Sequence, residues 1–535
     1  MKHRTKLLAL GMALVLVTCL FTGCAKEPAP AVEAPVAAEP TLSKVLTMAI
    51  NDSMYELDPQ HANTMGTICN HRCIYDSLYE WDNDSKTYVP CLAYDYSVSE
   101  DGLTYTFKLR EGVKFHDGTD FTADDCVATF QRFIDERDSL TVAIALWSNL
   151  VSTAKVDDYT FSITLATKQS SIFASIGRSF MLSSEDLEKY GGEAFTKQIL
   201  NGTGPWVFTE WVDGQFVRLT KAENYWNREN YNPYFDELFI RFISEPSTAI
   251  SAHLAGDVQG YLQVGSISDE LVGLYNGYED RIEVVNTPCG VIYYGQMSFK
   301  EGSPFHDPEI RKAWELAIDR EGIAYGVMGN GTVPNSIFSE FDIGYDPDLP
   351  VYEYNPEEAA KILAESSYDG SPITILTNLQ IEKGEQILLA MQDNLKAVGF
   401  NVNIEVIESA ELVARRATGE YDYFVITNMH VNGDPDAWLS QRILNDGHHS
   451  FAKGEVKDKL DELVLAQTAE LDPVKRAEIC QELSRVMRDN YGYIQTGITI
   501  TPSRVAYDYG LTNIEITPSA NYDYKYVDYD ASLVP

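Results

Sequence analysis

The chain has 535 residues, enough to bury a large core in one to four domains. With 44% hydrophobic and 23% charged residues its composition is that of a globular protein, and its 32 Tyr and 7 Trp supply many side chains with an apolar body and a polar tip. Its 80 acids against 41 bases give a formal net charge of -39, which argues against nucleic acid or an anionic lipid surface as partner, because phosphate binding needs basic patches.

Residues 1–23 read as a signal peptide. Lys2, Arg4 and Lys6 form a positive head, and LLALGMALVLVTCLF is an apolar run too short for a confident span. The run ends in Phe21-Thr22-Gly23-Cys24, which resembles the lipobox of bacterial lipoproteins, with Phe21 where Leu is usual. That resemblance implies acylation of Cys24 as the first mature residue; an uncleaved anchor helix is the competing reading. Residues 24–43 carry AKEPAPAVEAPVAAEP, a Pro/Ala/Glu-rich extended tether. No later stretch approaches 18 apolar residues, so no further span is expected.

From Lys44 strands and helices mix. VLTMAIN reads as a short alternating strand and YTFKLREGVKF as a strand pair. TADDCVATFQRFIDE is a helix that Thr122 can cap, with acids in its first turn. NGTGPWVFTEWVDGQFVRLTKA predicts a hairpin turning at Asp213-Gly214. DPEIRKAWELAIDREGIAYGVM is an amphipathic helix ended or bent near Gly322, and Pro356 opens another. ITILTN, GEQILLAMQDNLKAVG, NVNIEVI, AELVARRATG and YDYFVIT then alternate strand and helix, the pattern of a sheet flanked by helices on both faces. Two long helices and short strands finish the chain.

Each candidate motif has a plainer role. After Cys24, six cysteines are too dispersed for a disulfide scaffold, and Cys69-Asn70-His71-Arg72-Cys73 offers three local ligands where zinc wants four. His116 among the acids of HDGTDFTADD fits turn and cap chemistry. Gly202 and Gly204 lack the Lys of a phosphate loop, and His448-His449 sits in a polar loop. No G-x-S-x-G, H-E-x-x-H or S-x-x-K occurs, so the chain is not expected to be an enzyme; no cofactor or metal is expected either.

Several runs resemble one family: the large extracytoplasmic solute-binding proteins of ABC importers, family 5, which includes oligopeptide- and dipeptide-binding proteins. The block SVSEDGLTYTFKLREGVKFHDGTDFTADDCVATFQR, Ser97 to Arg132, carries it most specifically. GTGPW, ENYW, PFHDPEIRKAWELAIDRE, NPEEAAKILAE, GEYDYFVI and NGDPDAW follow in the family's order, so the resemblance covers Lys44 to Pro535. It implies an α/β fold of two lobes joined by a hinge, with an extra subdomain in the first. Lobe I would comprise 44–288 and 502–535, and lobe II 289–501. The lobes would close over a ligand, and a membrane permease with its ATPase would receive it.

In peptide-binding members the loop corresponding to Asn428–Trp438 carries an Asp that holds the peptide's α-ammonium. Here Val431 stands in its place, and Asn428 replaces a frequent Trp. Leaving that ammonium unpaired in a closed cleft would cost about 3–5 kcal/mol. Two readings stay open. Either a peptide is held with Asp434 or Asp436 taking the amine, or the cargo lacks that amine: a sugar, a blocked peptide, or a metal chelate read by His430. Asp434 also fits a cap for the following helix. The resemblance places Met54, Tyr55, Trp147, Tyr293, Tyr294, Asn428, Met429, His430, Val431, Asp434 and Trp438 at the ligand, with core packing as the competing role of the aromatics.

The expected protein is a monomeric, lipid-anchored receptor on the outer face of a bacterial membrane, capturing peptides for import. A non-peptide solute, a sensor without transport and a secreted hydrolase are the rivals.

Overall fold

The computed structural model describes residues 44–535 except 63, 193–194, 196, 264–266, 379–382, 429–432, 445–449 and 518–521; the side chains of 288–290, 428 and 502 are also outside the description. The expected signal peptide, Cys24 and tether lie outside the described residues, as do Met429, His430, Val431 and His448-His449.

Sixteen strands matter here: β1 Val45–Ile50, β2 Tyr79–Asp82, β3 Thr87–Pro90, β4 Ala93–Val98, β5 Thr104–Leu109, β6 Leu150–Asp157, β7 Thr160–Leu165, β8 Trp206–Val212, β9 Phe216–Lys221, β10 Glu237–Phe242, β11 Gly260–Leu262, β12 Ile282–Met297, β13 Ile373–Asn378, β14 Val402–Ile407, β15 Tyr423–Asn428 and β16 Gln495–Asp508. Ten of them form one sheet in the order β14-β13-β15-β12-β16-β11-β1-β10-β9-β8. Four more make a separate antiparallel sheet, β4-β5-β7-β6, and β2 pairs with β3.

The antiparallel pair β12–β16 sits mid-sheet and joins its two flanks. Ile292 to Met297 of β12 pair with β15 on one side, while Val505 to Tyr507 of β16 pair with β11 on the other. The register of the pair shifts between Thr287 and Val291 and again between Tyr293 and Tyr294. The β14-β13-β15 flank packs a core of Tyr293, Trp314, Leu388, Tyr423, Leu460 and Ile498. Helices Pro308–Ala317, Pro356–Glu365, Gly384–Val398, Glu455–Ala469 and Pro473–Asp489 contribute to it. The opposite face of β13, β15 and β12 holds a smaller cluster with Tyr294, Leu412, Phe424 and Ile426. The four-stranded sheet packs on helix Ala123–Asp135 around Phe107, Phe130, Trp147 and Phe161. Fully burying a side chain such as Phe130 contributes about 1.5–3 kcal/mol.

Most local expectations match local chemistry. Thr122 and Asp125 form a reciprocal capping box at the start of Ala123–Asp135. Gly214, at φ +65°, turns the β8–β9 hairpin. β13 pairs parallel with both β14 and β15, the product of the strand–helix alternation. Other readings change. β1 lies between the parallel strands β10 and β11, so its residues from Met48 to Ile50 are all buried rather than alternating. β5 pairs with β4 and β7, not with the following GVKF. The helix from Pro308 stops at Ala317, because Ile318 turns extended and Arg320 is drawn to Glu315 Oε2 at 2.5 Å and the Gly497 carbonyl at 2.8 Å.

The GTGP segment has a packing role. A Cβ on Gly202 would lie 2.0 Å from the Ile74 carbonyl oxygen, and one on Gly204 2.5 Å from that of Cys73. His116 binds this segment: its Nε2 donates to the Gly204 carbonyl at 2.9 Å, and its Nδ1 accepts from Gly202 N at 3.4 Å. Cys69, Cys73, Cys91, Cys126 and Cys480 are buried free thiols, and no cluster of three or more metal-ligating side chains occurs among the described residues.

Candidate cleft between the two sheet flanks

β13 ends at Asn378 and β15 at Asn428, side by side. The carboxyl ends of strands in an α/β sheet are where such folds hold ligands. The loops that follow both strands, 379–382 and 429–432, lie outside the described residues. The described part of the second loop begins at Gly433. Gly433 has φ +73°, and a Cβ there would lie 2.0 Å from the Phe341 carbonyl oxygen, so only glycine fits where this loop crosses the Phe341 segment. The Ile343 N–H donates to the Gly433 carbonyl at 2.9 Å and secures it.

Both acids of this loop are already engaged. Asp434 accepts from Arg476 Nη2 at 2.7 Å and Nη1 at 2.8 Å, and from the Asp436 N–H at 3.0 Å. It therefore holds the entry to helix Asp436–Arg442, as the cap reading anticipates, while Pro435 occupies the N-cap position itself. Burial disfavours the Arg476 charge, but Asp434 outweighs it and raises the Arg476 pKa. The Asp436 carboxylate accepts from Gln467 Nε2 and Thr468 Oγ1, both at 2.6 Å, and from Ser171 Oγ at 2.9 Å.

Ser171 belongs to the segment after the four-stranded sheet, so this last bond joins the two sides of the molecule. The Ser170 N–H adds a second link, donating to the Thr468 carbonyl at 3.0 Å. Beside these links lies a cavity of about 310 Å³, with Trp81, Tyr88 and Phe173 on one side and Phe341, Asp434 and Arg476 on the other. A neighbouring cavity of about 430 Å³ shares Trp81, Lys86 and Phe341 with it. Pockets of a few hundred Å³ lined by rings with a few placed polar groups suit small organic solutes.

The expected ligand residues divide between this region and the cores. Tyr55 is exposed, while the Met54 side chain is fully buried and offers only its carbonyl, which accepts from Trp211 Nε1 at 3.2 Å. Trp147 is a correction. It is fully buried between Phe130 and Phe133, and its indole N–H donates to Ser179 Oγ at 2.8 Å. A large ring whose one polar group is satisfied gains most from that core position. Tyr293 is likewise in the core of the β15 flank, whereas Tyr294 points to the opposite face of the same strand, as strand alternation requires. Tyr294 meets Trp438 edge-on at 6.1 Å and Phe424 at 6.3 Å. Asn428 pairs through its backbone with Ile292.

Ser171, Phe173, Phe341, Arg416 and Arg442 escaped the sequence reading. The charges of Arg416, from helix Ser409–Thr418, and Arg442, one helical turn after Trp438, both act on the buried Tyr294 hydroxyl. Their neighbour Arg415 is fully matched, with Glu405 at 2.7 Å and Glu411 at 2.8 Å. Arg416 is buried with its Cζ 4.6 Å from the Phe424 ring centre, and burial pulls its pKa down to about 10. The only sequence signal was the spacing of Trp438 and Arg442, which puts both on one helix face.

Comparison with known proteins agrees with this architecture. Residues 87–448 match the family model described as bacterial extracellular solute-binding proteins, family 5 Middle. A glutathione-binding protein, GsiB, of Escherichia coli O1:K1 / APEC is 28% identical over 421 residues, covering 77% of this chain and 75% of its own length. The structure of HbpA2 from Haemophilus parasuis superposes with a TM-score of 0.80 at 22% identity, over 91% of this chain and 100% of that one. The ABC transporter-associated periplasmic binding protein DppA from Helicobacter pylori, in complex with the peptide STSA, gives a TM-score of 0.70 at 22% identity, over 91% and 98%. The fold is thus the mixed α/β fold of periplasmic binding proteins. The chain belongs to the bacterial extracellular solute-binding proteins of family 5, and is a solute-binding receptor of an ABC importer rather than an enzyme.

Proposed function

We propose that this receptor captures a small peptide-like solute between two lobes and presents it to a membrane permease and its ATPase. The observation that carries the reading is the pair of links from Ser170 and Ser171 to Thr468 and Asp436, set beside the ring-lined cavity of about 310 Å³. Lobe I is 44–288 with 502–535, lobe II is 289–501, and β12 and β16 serve as the hinge. Tyr55, Tyr294, Asn428, Met429, His430, Val431, Asp434 and Trp438 face the cargo in this reading. The first 23 residues direct export, acylated Cys24 anchors the monomer to the outer face of the membrane, and residues 24–43 act as the tether. The named cargoes of the relatives, glutathione and the peptide STSA, support a peptide-like class.

A second reading, a cargo without a free α-amine, is favoured by a specific observation. Asp434 is neutralised by Arg476, and Asp436 is filled by three neutral donors, so neither offers a free carboxylate to an ammonium. Native mass spectrometry of protein purified without added ligand tests both. A family of peptide masses supports the first reading, blocked peptides or one non-peptide mass the second. Binding of neither glutathione nor any tripeptide by calorimetry would overturn the peptide class.

A further inference from the structure

We propose that Lys525, Asp76 and Glu80 form a self-modifying site, in which the Lys525 amine and the Asp76 carboxyl condense into an intramolecular amide bond with Glu80 as proton carrier. Its chemistry is independent of the cargo.

The three groups come from distant parts of the chain. Asp76 follows helix Met65–Ile74, Glu80 lies on β2, and Lys525 belongs to the C-terminal segment. Lys525 Nζ stands 2.7 Å from Asp76 Oδ1 and 2.8 Å from Glu80 Oε2. The Asp76 side chain is 0% exposed and that of Lys525 4%. Rings enclose them: Trp206 Nε1 donates to the Lys525 carbonyl at 2.8 Å, and Lys525 Nζ lies 4.8 Å from the centre of the Tyr526 ring. A plain buried ion pair survives on aligned hydrogen bonds that satisfy each oxygen. Here Asp76 Oδ1 makes none, so the nitrogen is close without that alignment. The other oxygen, Oδ2, accepts from Trp226 Nε1 at 2.9 Å and Thr203 Oγ1 at 3.0 Å. Two fixed donors on one carboxyl oxygen, with an amine held at the other, are what acyl transfer to nitrogen requires.

Burial disfavours the Lys525 charge, but Asp76 and Glu80 outweigh it and raise its pKa, so the nitrogen starts as an ammonium. Glu80 Oε2 takes one proton from it and passes that proton to Asp76 Oδ1. The freed lone pair forms the Nζ–Cγ bond, and the carbonyl electrons move to Oδ2, where Trp226 and Thr203 meet the developing charge. Glu80 then carries a second proton from nitrogen to Oδ1, the Cγ–Oδ1 bond breaks, and Oδ1 leaves as water. One ammonium and one carboxylate become one amide and one water, Glu80 ends as it began, and no oxidant or cofactor enters. Tyr526 Oη donates to Glu80 Oε1 at 3.0 Å and steadies the carrier against the nitrogen. The bond fastens the C-terminal segment covalently in a protein whose Cys69, Cys73, Cys91, Cys126 and Cys480 are all free thiols.

The full-length protein is unfolded and digested with trypsin, and the fragments are read by tandem mass spectrometry. Residues 73–86 should appear joined to residues 505–535, lighter than their sum by one water and uncut after Lys525. Glu80→Gln keeps the side chain's shape but cannot carry the protons, so it should release both fragments at full mass and restore the cut after Lys525. Separate fragments at full mass from the wild-type protein would reduce the site to an ion pair and overturn the proposal. A lone 73–86 fragment lighter by one water would assign the loss to closure of Asp76 on its own backbone, and also overturn it. The wild-type digest decides the bond even if Glu80→Gln does not fold. A cross-link that persists in folded Glu80→Gln overturns the place of Glu80 as carrier.

Discussion

Asp434 and Arg476 meet in a two-point ion pair, both side chains nearly buried, with Arg476 Nη2 2.7 Å from Asp434 Oδ1 and Nη1 2.8 Å from Oδ2. Arg476 also donates from Nε to Gln467 Oε1 at 3.1 Å, so the pair fastens helix Pro473–Asp489 to both the cleft loop and the helix before it. Removing one partner strands the other, and Asp434→Ala should cost about 3–5 kcal/mol in urea unfolding. The double variant Asp434→Ala/Arg476→Met should lose much less than the two single changes together. Simple additivity would show that the pair is not coupled.

Ser171 tests the link across the cleft. Ser171→Ala removes the donor to Asp436 Oδ2 without disturbing a core, so the thermal midpoint should hold within about a degree while solute affinity drops several-fold through a weaker closed state. Unchanged affinity for a ligand found by native mass spectrometry would separate this bond from closure.

Val431→Asp tests the resemblance that sets Val431 where peptide-binding members of the family carry an Asp. It should raise affinity for free-amine tripeptides about tenfold or more, given the cost of an unpaired ammonium in a closed cleft. N-acetylated peptides should show no gain. Equal gains for both peptide classes would refute the amine anchor at position 431.

His71 makes stability depend on acid. Its ring is fully buried against Tyr75 and Phe180, and burial lowers its pKa from 6.5 to about 4. The folded value is depressed, so the unfolded chain takes up the proton first on acidification. Stability from the neutral ring is fully present above pH 6.5 and is lost as pH falls towards 4, by up to about 3 kcal/mol. Chemical unfolding of His71→Phe between pH 7 and 4 should show a shallower decline than wild type. Parallel declines would place the acid sensitivity elsewhere.

Legibility in the sequence followed the range of the interactions. The Thr122 capping box, the Asp213-Gly214 hairpin and the strand–helix alternation from Ile373 to Asn428 were readable because each rests on residues within a few positions. The end of the helix at Ala317 was not, because Gly497 and Thr496 hold Arg320 from nearly two hundred positions away. Cleft aromatics were ambiguous for a related reason. Trp147 and Tyr294 look alike in sequence, and only packing sends one to a core with its N–H satisfied and leaves the other with an unpartnered hydroxyl.

By itself the sequence determined the family and the α/β class, since these lie in contiguous motifs. Tertiary structure alone decided that Asp434 is matched by Arg476, that Ser171 reaches Asp436, and that Arg416 and Arg442 have no ion pair among the described residues. Charge pairing depends on distances between segments far apart in the chain, and composition counts acids and bases without saying which of them meet.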